Sequence, residues 1–558
     1  MSRVDLPASP EQRWSGGANA PPSARGRAAS TLVIVAILVV AIALRCWRLS
    51  WGLDEGIFFP DEKDIWGTYF FAFRQPALEA LFGHTLNYPP LYGYVVGTGT
   101  VLAYALGLLG PERDVPGAIL IARGVSVAAS VCTVLLVWRI GCRWFGSRAG
   151  AIAAALLAVT PFEVIQTHYA SVDPLLGAWT ALTLLFACRL AAEGTSGLAV
   201  ASGVAAGLTL ATKYPGAALA AAPAWAVLER AWRERSVRRL LVLGALALAG
   251  YVAAVVLACP PCTFESARLV REVSWLRHLA TSGWAPANGF IVPWLGWYGQ
   301  PYLYHLVAAL PFALGWPLYV SALGGVVVAL RRRSVADRVI LASLLAYFFV
   351  MGRTSLAYPR YLIPLFAGLA ILAGRALAEL PSRRGLRAGC VAVVLAYSFL
   401  STVSHVRRFS YDQQHEVARL LGRVAAARPG RPLRVGVPKS FGNYYALDRP
   451  LGAVGIVPQW SGDGAWLAEH PDAFILPEWL RISIARDRNE AAARDLAALE
   501  SGAAGYVEAL RVGSSYLDAD LYTWLDPAFA GDLYIGEIGF RVYVRQPLLE
   551  RLQPPAPG

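Results

Sequence analysis

The chain has 558 residues, of which 56% are hydrophobic and 16% charged, with a formal net charge of +13. Soluble domains carry about 25% charged residues, so this balance excludes a wholly soluble protein. Nucleic-acid binding, which the positive charge raises, is disfavoured by where the arginines lie. They gather between apolar runs as Arg139/Arg143/Arg148, Arg230/Arg233/Arg235/Arg238/Arg239, Arg331/Arg332/Arg333/Arg338 and Arg383/Arg384/Arg387, the pattern of cytoplasmic loops in a multi-span membrane protein.

In chain order, residues 1–27 are rich in Pro, Ala, Gly, Ser and Arg and read as a disordered cytoplasmic N-terminus. A first apolar span over 28–44 stays in place as an anchor. Its far end carries Trp47 and Trp51, suited to a membrane interface. Arg45 and Arg48 lie on the wrong side for the charge rule. They either snorkel to headgroups or help to hold an anionic lipid phosphate.

The apolar segment 89–110 follows. If it crossed the membrane, all four arginine clusters would fall outside. Read as an interfacial helix begun by Pro89-Pro90 in the first outer loop, it leaves all four inside. The remaining spans are expected at 123–138, 150–166, 174–191, 197–212, 215–229, 240–258, 303–330, 338–351, 361–378 and 388–404. With the first they make about eleven transmembrane helices over residues 28–404. An odd number places the C-terminal part outside.

Residues 405–558 have an ordinary, polar composition and read as a small extracytoplasmic α/β domain. Helices are expected near 413–427 and 484–499, and strands near 433–437, 473–476, 505–511 and 539–545. All seven cysteines precede residue 391. Cys259 and Cys262 are close enough in sequence to pair, although membrane cysteines more often serve as small core residues.

Chemistry is sought where ionisable groups meet the apolar spans, because such groups are costly there. On the outer side these are Asp61, Glu62 and Asp173 as acids, with Lys213 and Arg360 as cations. A carboxylate near an acceptor is a general base, and cations steady a departing phosphate. For each a plainer role exists: a solvated loop acid for Asp61 and Glu62, a helix cap for Asp173, snorkelling or a headgroup contact for Lys213 and Arg360. His84 and His168 read as hydrogen-bonded loop residues, and Asp54-Glu55 as a solvated pair.

Trp51-Gly52-Leu53 with Phe59-Pro60-Asp61-Glu62, then Asn87-Tyr88-Pro89-Pro90-Leu91, Arg123, His168-Tyr169-Ala170-Ser171-Val172-Asp173-Pro174, Ala211-Thr212-Lys213-Tyr214 and Pro359-Arg360-Tyr361-Leu362-Ile363-Pro364 occur in that order. In this arrangement the chain resembles the C-type membrane glycosyltransferases, in the branch of protein O-mannosyltransferases and lipid A aminoarabinose transferases. The resemblance implies inverting transfer of a sugar from a polyprenyl phosphate at the outer face of the plasma (inner) membrane, to a lipid, protein or glycan acceptor. It implies Asp61 as base or its key partner, with Glu62 and Asp173 beside it. Lys213, Arg360, Arg123, Tyr88 and His84 are then the candidate contacts to the donor phosphate. Tyr88 stands where aminoarabinose transferases carry a Lys. No essential metal or other cofactor is expected, although Asp61 with Asp173 has the chemistry to hold a divalent cation. A transporter or lipid flippase is the alternative. It would favour internal repeats and mid-bilayer charges, which the sequence does not display.

Overall fold

The structure, a computed structural model, describes residues 24–53, 62, 88–110, 114–282, 301–354, 359–381, 385–410, 413–428, 430–438, 448–461, 466–467, 470–477, 490–512 and 540–552. Helix α1 spans Ala24–Cys46, α2 Leu91–Ala105, α3 Val115–Phe145, α4 Ser147–Ala158, α5 Pro161–Gln166, α6 Val172–Glu193 and α7 Ser196–Thr212. After a 3-10 stretch, Tyr214–Ala220, come α8 Ala221–Glu234, α9 Val237–Ala258, α10 Pro260–Phe264 and α11 Ser266–Ser282. Then follow α12 Pro301–Tyr304, α13 Leu310–Leu314, α14 Trp316–Arg332, α15 Val335–Met351, α16 Ile363–Glu379 and α17 Leu386–Val406.

Among the described residues, five helical segments are long and apolar enough to cross a membrane: Val115–Phe145, Val172–Glu193, Val237–Ala258, Pro359–Glu379 and Leu386–Val406. The pair Tyr302–Leu314 and Trp316–Arg332, bent by 119°, passes the same test together, as a broken span or a re-entrant loop. Three runs expected as unbroken spans are interrupted, each for a local reason. The run 150–166 breaks at Thr160, because Pro161 cannot donate a helical hydrogen bond. The run 215–229 begins as a 3-10 segment carrying Pro215 at its start. The run 303–330 turns at Gly315, whose φ of 78° suits a residue without Cβ. Helix α2 has 15 residues, about 22 Å at 1.5 Å per residue and short of a ~30 Å hydrocarbon core.

The first break opens carbonyls that need donors. Arg45, expected at the surface, is instead fully buried. Its Nη1 donates to Ala158 O at 2.9 Å and its Nε to Ser130 Oγ at 2.8 Å, while Ser130 Oγ donates to Glu163 Oε1 at 2.8 Å. Thr402 donates to Val159 O at 2.7 Å. The turn costs backbone hydrogen bonds, and this buried network replaces them. Neither snorkelling to headgroups nor holding a lipid phosphate describes Arg45, whose guanidinium is taken up by this network.

Helix α16 is the packed centre, with nearly every residue from Ile363 to Gly374 buried against α3, α4, α6 and α14. Helix α9 lies at the edge and keeps Leu241, Leu248, Val252 and Leu257 exposed, a face suited to lipid. It touches α7 through small residues. A Cβ on Gly203 would stand 1.9 Å from Ala247 O, and one on Gly207 2.5 Å from Tyr251 O. The two glycines are four apart, the spacing that lets helix backbones meet in membranes.

Arginines of the first three clusters share one end of this bundle, joined by ion pairs. Arg143 at the end of α3 meets Glu193 at the end of α6 at 2.7 Å. Arg230 of α8 donates to Ala192 O at 2.7 Å. Glu229 meets Arg338 at 2.5 Å, and Arg375 meets Asp337 and, at 2.9 Å, Glu379. Glu379 reaches Arg332 at 3.4 Å.

Beyond α17, a 3-10 turn Arg407–Ser410 leads to α18 Gln413–Ala426 and a five-stranded sheet. Its strands are β1 Val435–Pro438, β2 Pro458–Ser461, β3 Ala473–Pro477, β4 Tyr506–Val512 and β5 Phe540–Arg545, in the order β2-β1-β3-β5-β4. Strand β1 runs parallel to β2 and β3, whereas β5 runs antiparallel to β3 and β4. This sheet has its own core, in which Val435, Phe474, Val542 and Val544 pack against Leu421 and Val424 of α18 and Leu496 of α19 (Glu490–Glu500). Strand β2 lies where no strand was expected, since Pro458 and Gln459 dilute its apolar signal.

The α7–α9 contact gives a first expectation. Gly203→Ala forces backbones apart and should cost about 1–3 kcal/mol, as overpacking does. Gly197→Ala, which meets nothing within 4 Å, should be neutral. Thermal unfolding of the detergent-purified variants distinguishes the two; equal midpoints would contradict the packing described.

Candidate functional site

The opposite end of the bundle is organised by two buried ion pairs. The first joins Glu62 to Arg123 of α3, neither of which is exposed to solvent. Arg123 grips the carboxylate with two prongs, Nε to Oε1 at 2.8 Å and Nη2 to Oε2 at 3.0 Å. Its Nη1 donates to the carbonyls of Leu49 and Trp51, both at 2.8 Å. The guanidinium also lies 4.7 Å from the centroid of the Trp51 ring. Glu62 Oε1 accepts from Ala170 N at 2.8 Å. This one pair therefore ties the end of α1, the first loop and the loop before α6 together.

The second pair is Lys213 Nζ with Asp173 Oδ1, 2.6 Å apart and almost fully buried. Asp173 lies in the first turn of α6, and Lys213 caps the C-terminus of α7. Each charge thus faces the helix end whose dipole favours it. The cap of α6 is Ser171, whose Oγ accepts from Asp173 N and donates to Asp173 Oδ2. The plainer reading of Asp173 as the capping residue is accordingly corrected. Lys213 turns inward and does not snorkel.

The surroundings of Lys213 are aromatic. Its ammonium lies 4.4 Å from the centroid of the Tyr361 ring and 5.7 Å from that of Tyr88. Arg360, half-buried, has its guanidinium 5.6 Å from the same Tyr361 ring. Tyr347 of α15 fixes this segment by donating to Tyr361 O at 2.9 Å. Lys213, Arg360, Tyr88 and Asp173 are therefore brought together around Tyr361. Two cations on a floor of tyrosines suit an anion carrying an apolar or sugar-like body.

Arg123 does not join this group, because Glu62 and two carbonyls occupy its guanidinium. Glu62 likewise serves as its counter-ion. Asp61, His84 and Asp54-Glu55 lie outside the described residues. The two ion pairs stand close, since Glu62 binds at Ala170 and Asp173 follows three residues later. Ser126 of α3 braces the stretch between, donating to Ser171 O at 3.3 Å and accepting from Ser171 N at 3.4 Å.

Several residues at this end were missed in the sequence. Phe409 stacks on His168 at a centroid distance of 4.2 Å and packs against Trp51 and Tyr169. The ring nitrogens of His168 lie 3.0 Å from Val164 O and Trp47 O. Tyr347 and Glu163 sit in apolar surroundings that give a charge or hydroxyl no distinctive motif; a polar residue in an apolar run was the available signal. Cys259 and Cys262, read first as small core residues, form a disulfide. They pack with Ala211 and Ala258, near Leu91 and Leu208, at the same end of α7 as Lys213.

Among the described residues, no three His, Cys, Asp or Glu side chains group as a metal site would need.

Residues 118–258 match the model of the dolichyl-phosphate-mannose-protein mannosyltransferase family, a segment of roughly a quarter of the chain that holds Arg123, Asp173 and Lys213. No curated protein matches the sequence. Among solved structures, the chain is similar to ArnT from Cupriavidus metallidurans. With the form bound to undecaprenyl phosphate it shares 18% identity, covering 83% of this chain and 95% of that one, with a TM-score of 0.45. The apo form gives 16%, 95% and 100%, with a TM-score of 0.47. The archaeal oligosaccharyltransferase AglB from Archaeoglobus fulgidus, in complex with an inhibitory peptide and a dolichol-phosphate, gives 13% identity, 84% and 71% coverage, and a TM-score of 0.44. Over residues 118–258 the chain thus resembles the dolichyl-phosphate-mannose-protein mannosyltransferase family.

Breaking a buried ion pair strands its partner. Arg123→Met and Glu62→Gln should each destabilise the fold by about 3–5 kcal/mol. Arg123→Lys should rescue little, because a lysine cannot make the two-pronged contact. Unfolding midpoints of the three variants test this, and a stable Arg123→Met protein would contradict the bracing role.

Proposed function

We propose that this protein transfers a sugar from a polyprenyl-phosphate donor to an acceptor at the extracytoplasmic face of the inner membrane. The observation that carries the reading is the cluster of Lys213, Arg360, Tyr88 and Tyr361 against Asp173, next to the anchor of Glu62. The matched family segment, which contains Asp173 and Lys213, supports it.

The division of labour follows from charge. Lys213 and Arg360 receive the phosphate and stabilise the negative charge that grows on it as the sugar leaves. Tyr88 and Tyr361 give that end an aromatic wall. Asp61, the covalent neighbour of the anchored Glu62, is assigned as the base that takes a proton from the acceptor, or as that base's partner. Attack from the side opposite the phosphate inverts the anomeric carbon. Asp173 sets the position and charge of Lys213. His84 and Arg123 complete the original set of phosphate contacts, and the engagement of Arg123 with Glu62 favours a bracing role for it. The acceptor is a lipid, a protein or a glycan; nucleic acid has no part.

The topology proposed is about eleven spans with α2 lying in the interface, the N-terminus cytoplasmic and residues 405–558 outside. Three features support it. The described arginines of the first three clusters occupy one end of the bundle, as cytoplasmic loops do. The proposed site occupies the other. The Cys259–Cys262 disulfide lies at the site's end, and such bonds persist in oxidising compartments.

No essential metal is proposed. The ammonium of Lys213 already neutralises Asp173, where a divalent ion would have to bind.

Two experiments test these assignments. In purified protein supplied with labelled polyprenyl-phosphate sugars, Asp61→Asn should abolish transfer without altering insertion or melting behaviour. Lys213→Ala should reduce it by roughly a hundredfold or more, the loss typical of a charge-stabilising donor. Full activity of Asp61→Asn would remove the mechanism. Treatment with a chelator should leave the wild-type rate unchanged; a loss reversed by manganese would place a metal in the site.

A further inference from the structure

We infer that helix α11, Ser266–Ser282, is a membrane-surface element whose basic face binds anionic phospholipid headgroups of the outer leaflet beside the proposed donor site. The inference rests on the outward placement of the C-terminal end of α9 argued above.

The approach to α11 fixes its depth. Helix α9 keeps apolar side chains exposed up to Leu257, which is 79% exposed one residue before the helix ends. The chain then turns through α10, a corner of five residues begun by Pro260 and Pro261. The Cys259–Cys262 disulfide closes that corner. Phe264, at its end, is 68% exposed. Between a lipid-facing leucine and an exposed phenylalanine seven residues on, the backbone has no room to leave the interface.

The helix itself has two faces. Leu269, Val273 and Leu276 follow the i, i+4, i+7 spacing and are half-buried. The other side is exposed and carries Arg271, Ser274, Arg277 and His278, with Val270 and Trp275 at its two margins. Arginine between an aliphatic and a tryptophan is the composition of an interfacial helix, in which cations reach phosphates while the apolar margins enter the acyl boundary. Arginines on this side also run against the charge distribution of the rest of the chain, which keeps its clusters at the other end. A local anionic partner accounts for them.

The position relative to the site is set by Tyr214. Arg268 and Glu272 lie near enough for their charges to act on its hydroxyl, and Tyr214 follows Lys213 directly. Headgroups held by α11 therefore border the Lys213 end of the bundle.

The test uses the full chain in nanodiscs of phosphatidylcholine, with or without phosphatidylglycerol, both leaflets alike. The result then depends neither on orientation nor on transferase activity, and its failure is distinct from failure of the proposed function. A fluorophore is placed at Ser274→Cys, and the signal of the same labelled chain without that substitution is subtracted. A headgroup-level nitroxide lipid should quench it more than a water-soluble quencher does. The quenching should favour phosphatidylglycerol discs, by about fivefold for each arginine engaged. Arg271→Glu with Arg277→Glu should erase that preference, and high salt should do the same in the unsubstituted chain. Stronger aqueous quenching in both lipid compositions, or equal lipid quenching with and without phosphatidylglycerol, would overturn the inference.

Discussion

The two-pronged contact between Arg123 and Glu62 is the constraint from which the site end of the bundle takes its shape. A guanidinium with no exposure to water must have nearly all its N–H groups accepted, or its burial costs several kcal/mol. Four acceptors meet that demand: two carboxylate oxygens and the carbonyls of Leu49 and Trp51. Because these come from two segments, and Glu62 also accepts from Ala170 N, satisfying the arginine fixes where α1 ends, where the first loop returns and where Ala170 stands. The Asp173–Lys213 pair then follows from the same loop, three residues on. One group meets the burial cost of its charge by holding the loops, and the other sets Lys213 among aromatic rings.

The opposite end of the bundle uses ion pairs differently. Its ion pairs are chained from helix to helix and sit at helix termini, so they stitch the bundle without desolvating every partner. A collar of this kind resists sliding of one helix along another. The sheet of residues 435–545 lies after α17, and Phe409 joins the start of that segment to His168 and Trp51.

Much of this was legible in the sequence because membranes impose a strong pattern. Apolar runs marked the helices α3, α6, α9 and α17, and arginines between the runs marked one end. The same apolar pattern hid the breaks. Pro161 and Gly315 stand within hydrophobic stretches that read as continuous, and composition does not reveal how a broken helix is repaired. Of the site, Asp173, Lys213, Arg360 and Tyr88 were legible and do converge. Arg123 was legible as a basic residue at a span end, but its use could not be read, since a buried arginine and a phosphate-binding one look alike until their acceptors are placed. Arg45 was misread for the same reason: its partners are backbone carbonyls, which leave no trace in side-chain sequence. The cysteines show the reverse case. Their spacing allowed pairing, and the short turn of α10, with two prolines between them, is what brings them together.

That disulfide also bears on how the chain is made. On the proposed topology, neither thiol can be oxidised until α9 has been threaded through the bilayer and its far end delivered to the oxidising side. A copy inserted upside down would keep both thiols reduced. The bond is thus a covalent record of correct insertion, written once per molecule at the corner where the polypeptide emerges.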